Sequence, residues 1–150
     1  MRTGDIKCWA KRRLTEGMKH KILIIDDEED FAQMLKLNLE EQGEYEVVVE
    51  NQAINALAKT LEYQPELIFL DIIMPDMEGP DVLNQIRRHD QIKDTPVVFL
   101  TATVRKEEVE AEGGMIGGHP FLAKPSTIEE LIQCIEETIL KFDPLGLSNT

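Results

Sequence analysis

The chain has 150 residues, of which 42% are hydrophobic and 30% are charged, so its composition is that of one ordinary globular domain. Its 16 basic and 29 acidic residues give a net charge of −13, which argues against nucleic acid as a direct partner because a nucleic-acid-binding face must be basic. No apolar run approaches the roughly 18 residues that a membrane span needs, and no signal peptide is recognisable. We therefore expect a soluble, cytoplasmic protein.

The amino-terminal segment differs in character from the rest of the chain. Residues 1–21 carry seven basic and two acidic residues, whereas the remaining 129 residues carry nine basic and 27 acidic ones. We expect residues 1–18 to be a basic extension, residues 19–142 to be the folded domain, and residues 143–150 to be a tail too short for a further domain. Met18 is a candidate natural start, in which case residues 1–17 are non-native; the alternative is a genuine basic arm.

Short apolar runs rich in β-branched residues predict strands that are buried on both faces, as in a parallel sheet. In chain order these runs are Ile22–Ile25, Tyr45–Val49, Leu67–Leu70, Val97–Leu100 and Phe121–Ala123. Helical patterns separate them. Strand alternating with helix five times predicts an α/β fold, a doubly wound parallel sheet with helices on both faces.

Apolar residues at helical spacing predict which helix faces are buried. The sets are Phe31, Met34, Leu35 and Asn38; Ile54, Leu57, Ala58 and Leu61; Val82, Leu83 and Ile86; and Ile128, Leu131, Ile132, Ile135 and Ile139, the last helix being capped by Ser126 or Thr127. A weaker, polar helix is expected over Arg105–Glu112. The glycine-rich stretch Gly113–Gly118 follows it, and we expect that stretch to be mobile.

Polar side chains stand where four of the five predicted strands end. Asp26 and Asp27 follow the first strand, Asp71 the third, Thr101 the fourth and Lys124 the fifth. Any one of them has an ordinary explanation as a helix cap or loop residue, but the carboxyl ends of parallel strands meet at one edge, where ligands bind. Three carboxylates with one ammonium group favour a Mg²⁺ site, and Mg²⁺ held in this way commonly also binds phosphate oxygens. A carboxylate can then be the nucleophile that forms an aspartyl phosphate.

These residues closely resemble the receiver domain of two-component response regulators. The resemblance covers about residues 19–142 and rests on Ile24-Ile25-Asp26-Asp27-Glu28, on Leu70-Asp71-Ile72-Ile73-Met74-Pro75-Asp76-Met77-Glu78-Gly79, on Leu100-Thr101-Ala102 and on Ala123-Lys124-Pro125. It implies a flavodoxin-like (βα)5 fold with strand order 2-1-3-4-5.

The resemblance also implies a role for each site residue. Asp71 accepts a phosphoryl group, and Asp26, Asp27, Asp71 and the backbone carbonyl of Ile73 hold Mg²⁺. Lys124 pairs with the phosphoryl group, and Thr101 and Phe121 are the switch positions.

On this reading the chain is a stand-alone receiver that is phosphorylated by a histidine kinase or phosphotransfer protein. It then controls a protein partner through its fourth helix, fifth strand and fifth helix, and it is a monomer or a weak dimer through the same surface. It is not expected to be an enzyme beyond its own phosphorylation and dephosphorylation.

Two alternatives stay open. The first is a Mg²⁺-dependent phosphohydrolase with an aspartyl nucleophile, which the apolar Ile73 disfavours because such enzymes carry an acidic residue at that position. The second is a pseudo-receiver that binds partners without phosphorylation, which is disfavoured because no expected Asp or Lys is missing.

Overall fold

The computed structural model describes residues 19–102, 115–116, 119–124 and 126–141. The described strands and helices are β1 (His20–Ile25), α1 (Glu29–Glu40), β2 (Tyr45–Glu50), a 3-10 turn (Ala53–Asn55), α2 (Ala56–Tyr63), β3 (Leu67–Asp71), α3 (Gly79–Arg87), β4 (Val97–Thr101), β5 (Met115–Ile116), β6 (His119–Ala123) and α4 (Ile128–Lys141). The predicted extension, the predicted fourth helix, most of Gly113–Gly118 and the predicted tail lie outside the described residues.

The described strands form one sheet in the order β2-β1-β3-β4-β6-β5. The first five of these are parallel neighbours, so the predicted order 2-1-3-4-5 is confirmed, with β6 as the predicted fifth strand. A strand that was not predicted lies at one edge. Strand β5 runs antiparallel to the first residues of β6, with Met115 opposite Pro120 and Ile116 opposite His119.

The central strands bury both of their faces, as their continuous apolar sequences predict. Ile22 and Ile24 of β1 pack on one side of the sheet in the core that also contains residues of α1 and α4. Leu23 and Ile25 pack on the other side, in the core that contains residues of α2 and α3. The sheet is therefore covered by helices on both faces. The predicted site residues follow the strands at its carboxyl edge.

The predicted buried faces of the first two helices were partly wrong. Helix α1 buries Ala32, Leu35 and Leu39, whereas Met34, placed in the predicted stripe, is 45% exposed. In the second helical region Ala53, Ala56 and Thr60 are buried and Ile54 is 66% exposed. The buried positions are thus shared between small side chains, such as Ala32, Ala53 and Ala56, and the leucines Leu35 and Leu39, whereas Met34 and Ile54 turn outward.

The predictions for the third and fifth predicted helices, which are α3 and α4 of the structure, are confirmed. Helix α3 begins with Gly79 and Pro80 and buries Val82, Leu83 and Ile86. Helix α4 begins with a reciprocal cap: the Glu130 N–H donates to Thr127 Oγ1 over 3.1 Å and the Thr127 N–H donates to Glu130 Oε1 over 2.8 Å. At 14 residues, α4 packs its apolar stripe on the sheet. No helix in the described ranges is long and apolar enough to cross a membrane.

Candidate phosphoryl-acceptor site

The structure brings the predicted site residues to the carboxyl edge of the sheet. Asp26 and Asp27 directly follow β1, Asp71 and Thr101 are the last residues of β3 and β4, and Lys124 directly follows β6. One carboxylate oxygen from each of the three aspartates lies within 4.8 Å of the others. The site is thus an acidic cluster with one ammonium group beside it.

Asp26 is the most enclosed of the three aspartates, with no exposed surface. Its Oδ2 accepts a hydrogen bond from Lys124 Nζ over 2.9 Å, and its Oδ1 accepts the Glu28 N–H over 2.9 Å. Its carbonyl oxygen accepts a hydrogen bond from Asn51 Nδ2 over 2.8 Å. Burial raises the pKa of Asp26, and the hydrogen bonds from Lys124 and Glu28 oppose that rise.

Lys124 reaches into the cluster from the end of β6, and its side chain is only 6% exposed. Its ammonium group donates to Asp26 Oδ2 and to Glu28 Oε1, and it lies 4.5 Å from the centroid of the Phe31 ring. Asp71 Oδ1 is farther away, at 3.8 Å. Two of the three N–H donors are therefore directed at carboxylates other than that of Asp71.

Sequence reasoning missed the contact between Glu28 and Lys124. Glu28 stands immediately before α1, where a capping residue is expected, yet the structure gives its side chain no capping hydrogen bond to that helix. Serine, threonine, aspartate and asparagine are the residues that favour this position. The side chain instead turns to Lys124, 96 residues further along the chain, and this contact has no signature in the local sequence.

Asp71 lies in an environment that disfavours its ionised form. Its side chain is 8% exposed. Burial, the Asp26 carboxylate and a hydrogen bond with Asp27 raise the pKa of Asp71 to about 7, while Lys124 acts in the opposite direction. Burial and the negative charge of the neighbouring aspartates therefore favour the protonated form of Asp71 up to about pH 7. The pKa of Lys124 is raised by its carboxylate partners, Glu28 and Asp26, against the lowering effect of burial.

The donor set fits a Mg²⁺ ion. Carboxylate oxygens are the hard ligands that Mg²⁺ prefers, and a divalent cation would supply the positive charge that these three aspartates lack. Asp27 is half-buried, so the cluster is open to solvent on that side. This openness suits an ion that normally keeps several of its water ligands.

The loop after β3 folds back closely onto Asp71. The Gly79 N–H donates to the Ile72 carbonyl oxygen over 2.7 Å. Further along the loop, Asp76 Oδ2 accepts the Ile54 N–H over 2.9 Å, and this hydrogen bond lowers the pKa of Asp76. The loop is therefore tied both to the end of its own strand and to the turn that precedes α2.

Ile73 lies two residues beyond Asp71, and its side chain is 58% exposed. Its side chain offers no hydrogen-bonding group, so a metal contact from this residue would have to use its backbone carbonyl. That role stays a prediction.

Of the two predicted switch residues, Thr101 is at the carboxyl end of β4, and Phe121 lies two residues before the end of β6. Thr101 is 1% exposed, and its carbonyl oxygen accepts the Lys124 N–H over 2.9 Å. Phe121 is half-buried, and its ring centroid lies 5.1 Å from that of Phe99, with the ring planes at 35°. Backbone pairing of β4 with β6 places Thr101 opposite Ala123, two residues after Phe121.

Known proteins resemble this chain in sequence and in fold. Residues 22–136 match the family model described as the response regulator receiver domain. The DNA-binding dual master transcriptional regulator RpaA of Synechocystis sp. is 32% identical over 123 residues, which are 82% of this chain and 50% of RpaA. Protein PilG of Pseudomonas aeruginosa is 30% identical over 125 residues, which are 83% of this chain and 91% of PilG.

Among solved structures, the chemotaxis protein CheY4 of Vibrio cholerae superimposes with a TM-score of 0.67 and 31% identity, over 80% of this chain and 98% of that one. The chain spans about half the length of RpaA and of the other transcriptional regulators matched with it. Receiver domains interact with histidine kinases or phosphotransfer proteins. The chain belongs to the response regulator receiver family of two-component signalling.

Proposed function

We propose that this chain is a phosphorylation-dependent switch in which Asp71 accepts a phosphoryl group and a protein partner responds to the change. The observation that carries this proposal is the convergence of three aspartates and Lys124 at the carboxyl edge of the sheet, where one carboxylate oxygen from each aspartate lies within 4.8 Å of the others. The switch occupies residues 19–142 and works in the cytoplasm. It is a signalling protein rather than an enzyme that acts on a separate substrate.

Asp26, Asp27 and Asp71 would hold Mg²⁺, with the backbone carbonyl of Ile73 as a further ligand. When bound, Mg²⁺ supplies positive charge for the phosphoryl oxygens and for the clustered carboxylates. The chain itself holds Asp71 at the end of a buried strand, where burial and two neighbouring carboxylates raise its pKa to about 7. Positive charge that compensates these carboxylates favours the ionised form of Asp71, which is the form that the reaction needs.

In the reaction, a carboxylate oxygen of Asp71 attacks the phosphorus of a phosphohistidine on the donor protein. The new P–O bond forms as the P–N bond breaks, and the imidazole leaves with the electron pair and takes up a proton. Lys124 Nζ, 3.8 Å from Asp71 Oδ1, is close enough to pair with a phosphoryl oxygen. Positioning and charge compensation, rather than covalent participation by other groups, provide the catalysis.

The response is proposed to pass through Thr101 and Phe121. Thr101 is buried at the end of the neighbouring strand and would donate its hydroxyl to the phosphoryl group. That movement would leave room for Phe121, which is half-buried against Phe99, to turn inward. The surface that would then change its shape is formed by the predicted fourth helix and by β6 and α4, which are the fifth strand and fifth helix of the receiver fold. The same surface would support a monomer or a weak dimer.

The partner that reads this change is proposed to be a protein rather than nucleic acid. A net charge of −13 repels phosphate backbones. The donor would be a histidine kinase or a phosphotransfer protein, as is general for receiver domains.

The test is to incubate the chain with acetyl phosphate and Mg²⁺, trap the product with borohydride and map it by mass spectrometry. We expect label on Asp71, loss of label in Asp71→Asn, and full label in Asp30→Asn, which changes an exposed aspartate in the first turn of α1. Label that persists undiminished in Asp71→Asn would contradict the assignment.

A further inference from the structure

We propose that Glu28 is a positioning residue that holds the Lys124 ammonium group away from Asp71 and so slows phosphoryl capture. This inference deepens the proposed function and rests on it. It starts from the geometry of Lys124, whose Nζ donates to Asp26 Oδ2 and Glu28 Oε1 but stands 3.8 Å from Asp71 Oδ1. That last distance is too long for a hydrogen bond.

The two partners of Lys124 differ in how firmly they are held. Asp26 has no exposed surface, and its second oxygen accepts the Glu28 N–H. The Glu28 side chain is 61% exposed. Since Asp26 belongs to the acidic cluster itself, Glu28 is the partner of Lys124 that can be removed without altering that cluster.

The Glu28 side chain has no capping role at the start of α1. This side chain forms no capping hydrogen bond to that helix, although Glu28 occupies the position where such a bond is expected. Its backbone N–H bond to Asp26 does not depend on the side chain. A residue that departs from the local rule and contacts a site residue instead is typical of a functional position. Replacement of the side chain should therefore leave the fold intact.

Phosphoryl capture requires the ammonium group to exchange one of these contacts for a phosphoryl oxygen. An ion pair with one exposed member contributes little, so its release should change the rate only modestly. We expect phosphorylation by acetyl phosphate at saturating Mg²⁺ to be about two- to fivefold faster in Glu28→Ala than in the wild type. Glu28→Gln should fall between the two, because its amide oxygen still accepts a hydrogen bond but has lost the charge.

Glu29 provides the matched control. It is exposed, it is the next residue in the chain, and Glu29→Gln and Glu29→Ala remove the same charge without touching the contact to Lys124. If the Glu28 and Glu29 variants accelerate phosphorylation equally, the effect is a general loss of repulsion toward the anionic donor and the inference is wrong. A slower Glu28→Ala would also overturn it, because Glu28 would then hold Lys124 in a productive position.

A second measurement reads the contact without any phosphorylation. In Mg²⁺-free protein labelled with ¹³C-lysine, the ε-methylene signal of Lys124 is assigned with Lys124→Arg. The chemical shift of this signal should change in both Glu28 variants and stay unchanged in both Glu29 variants. An unmoved signal shows that Glu28 does not hold Lys124 and overturns the inference. A different outcome is that the wild type takes no label from acetyl phosphate while the Lys124 signal still shifts in the Glu28 variants. That result would contradict the proposed function and the predicted rate effect, and it would confirm the contact between Glu28 and Lys124.

Discussion

A Cβ atom on Gly79 would lie 2.5 Å from the main-chain carbonyl oxygen of Asp71. Real Cβ contacts essentially never come so close, and the obstructing atom is backbone rather than the end of a flexible side chain. The loop from Ile72 to Gly79 can close onto the end of β3 only because residue 79 has no side chain. The backbone position of Asp71 and the conformation of this loop therefore depend on each other.

We predict that Gly79→Ala lowers the free energy of unfolding by about 1–3 kcal/mol, because the added methyl group forces the backbone to shift. Urea denaturation of the Mg²⁺-free chain measures it. Asn84→Ala, on the exposed face of the same helix, should stay within about 0.5 kcal/mol of the wild type. Equal stability of Gly79→Ala and the wild type would show that the loop can move away from Asp71 at no cost.

Metal-free stability should depend on the ionisation of Asp71. Its pKa is raised from 3.8 to about 7 in the folded chain, so the folded state binds a proton that the unfolded state has already released. The stabilisation by this proton is fully present below about pH 4 and is lost as pH rises through about 7. The chain should therefore become less stable between these limits.

The amide side chain of the Asp71→Asn variant cannot ionise, so this variant should not lose stability in this way as pH rises. We expect its stability advantage over the wild type to grow from near zero below about pH 4 to on the order of 2–4 kcal/mol above about pH 8. Urea titrations in EDTA at several pH values measure this difference, with Asp30→Asn as the control for loss of an exposed carboxylate. An advantage that is constant across the pH range would show that Asp71 does not titrate as described.

Mg²⁺ affinity should depend on Asp27. Asp27→Ala removes one of three clustered carboxylates, and we expect the affinity to fall at least about tenfold, equivalent to about 1.4 kcal/mol. Calorimetric titration with MgCl₂ measures the affinity. Asp30→Ala removes an exposed aspartate three residues away and should bind as the wild type does. If both variants bind equally well, the ion is held elsewhere.

The lifetime of the phosphorylated form should depend on the residue at position 73. Hydrolysis requires a water molecule aligned with the acyl phosphate, and positioning accounts for much of phosphoryl-transfer catalysis. Ile73 is 58% exposed and has no group that can orient water. Thr103, two residues after Thr101, lies outside the described residues and has only a short hydroxyl side chain. An amide at position 73 and a carboxylate at position 103 could both orient water, so the double change Ile73→Asn and Thr103→Glu should accelerate dephosphorylation by about tenfold, about 1.4 kcal/mol of barrier.

The matched control for that change is Ile54→Asn, which alters another exposed isoleucine and should leave the decay rate as it is. Decay is followed by mass spectrometry after the donor is removed, with Mg²⁺ present. A wild type that already loses its phosphoryl group faster than the double variant would show that another group positions the water.

The strands and the site were predictable because each leaves a local signal. Strands buried on both faces read as continuous apolar runs, and residues that directly follow them must meet at one edge of a parallel sheet. Asp71 is recognisable for this reason, although the elevation of its pKa is not. That elevation depends on the burial of Asp71 and on its distances to Asp26 and Asp27, which only the folded chain defines.

Other features left too weak a signal. Periodicity placed Met34 and Ile54 in buried stripes because it weighs large apolar residues above small ones, yet close packing on the sheet selected Ala32 and Ala53. Strand β5 has only two residues, too few to show alternation. The contact between Glu28 and Lys124 joins residues 96 positions apart, and an acidic residue near a helix start has an ordinary explanation in the helix dipole.

The direction of β1 has a practical consequence for handling the protein. The strand begins at His20 and ends at Ile25, next to the acidic cluster, and six residues of strand extend about 20 Å. Lys19 therefore joins the sheet at the end opposite Asp71. A fluorophore or a surface anchor attached at Lys19 would lie about one strand length from Asp71, and the carboxyl edge of the sheet would stay accessible to the proposed phosphoryl donor.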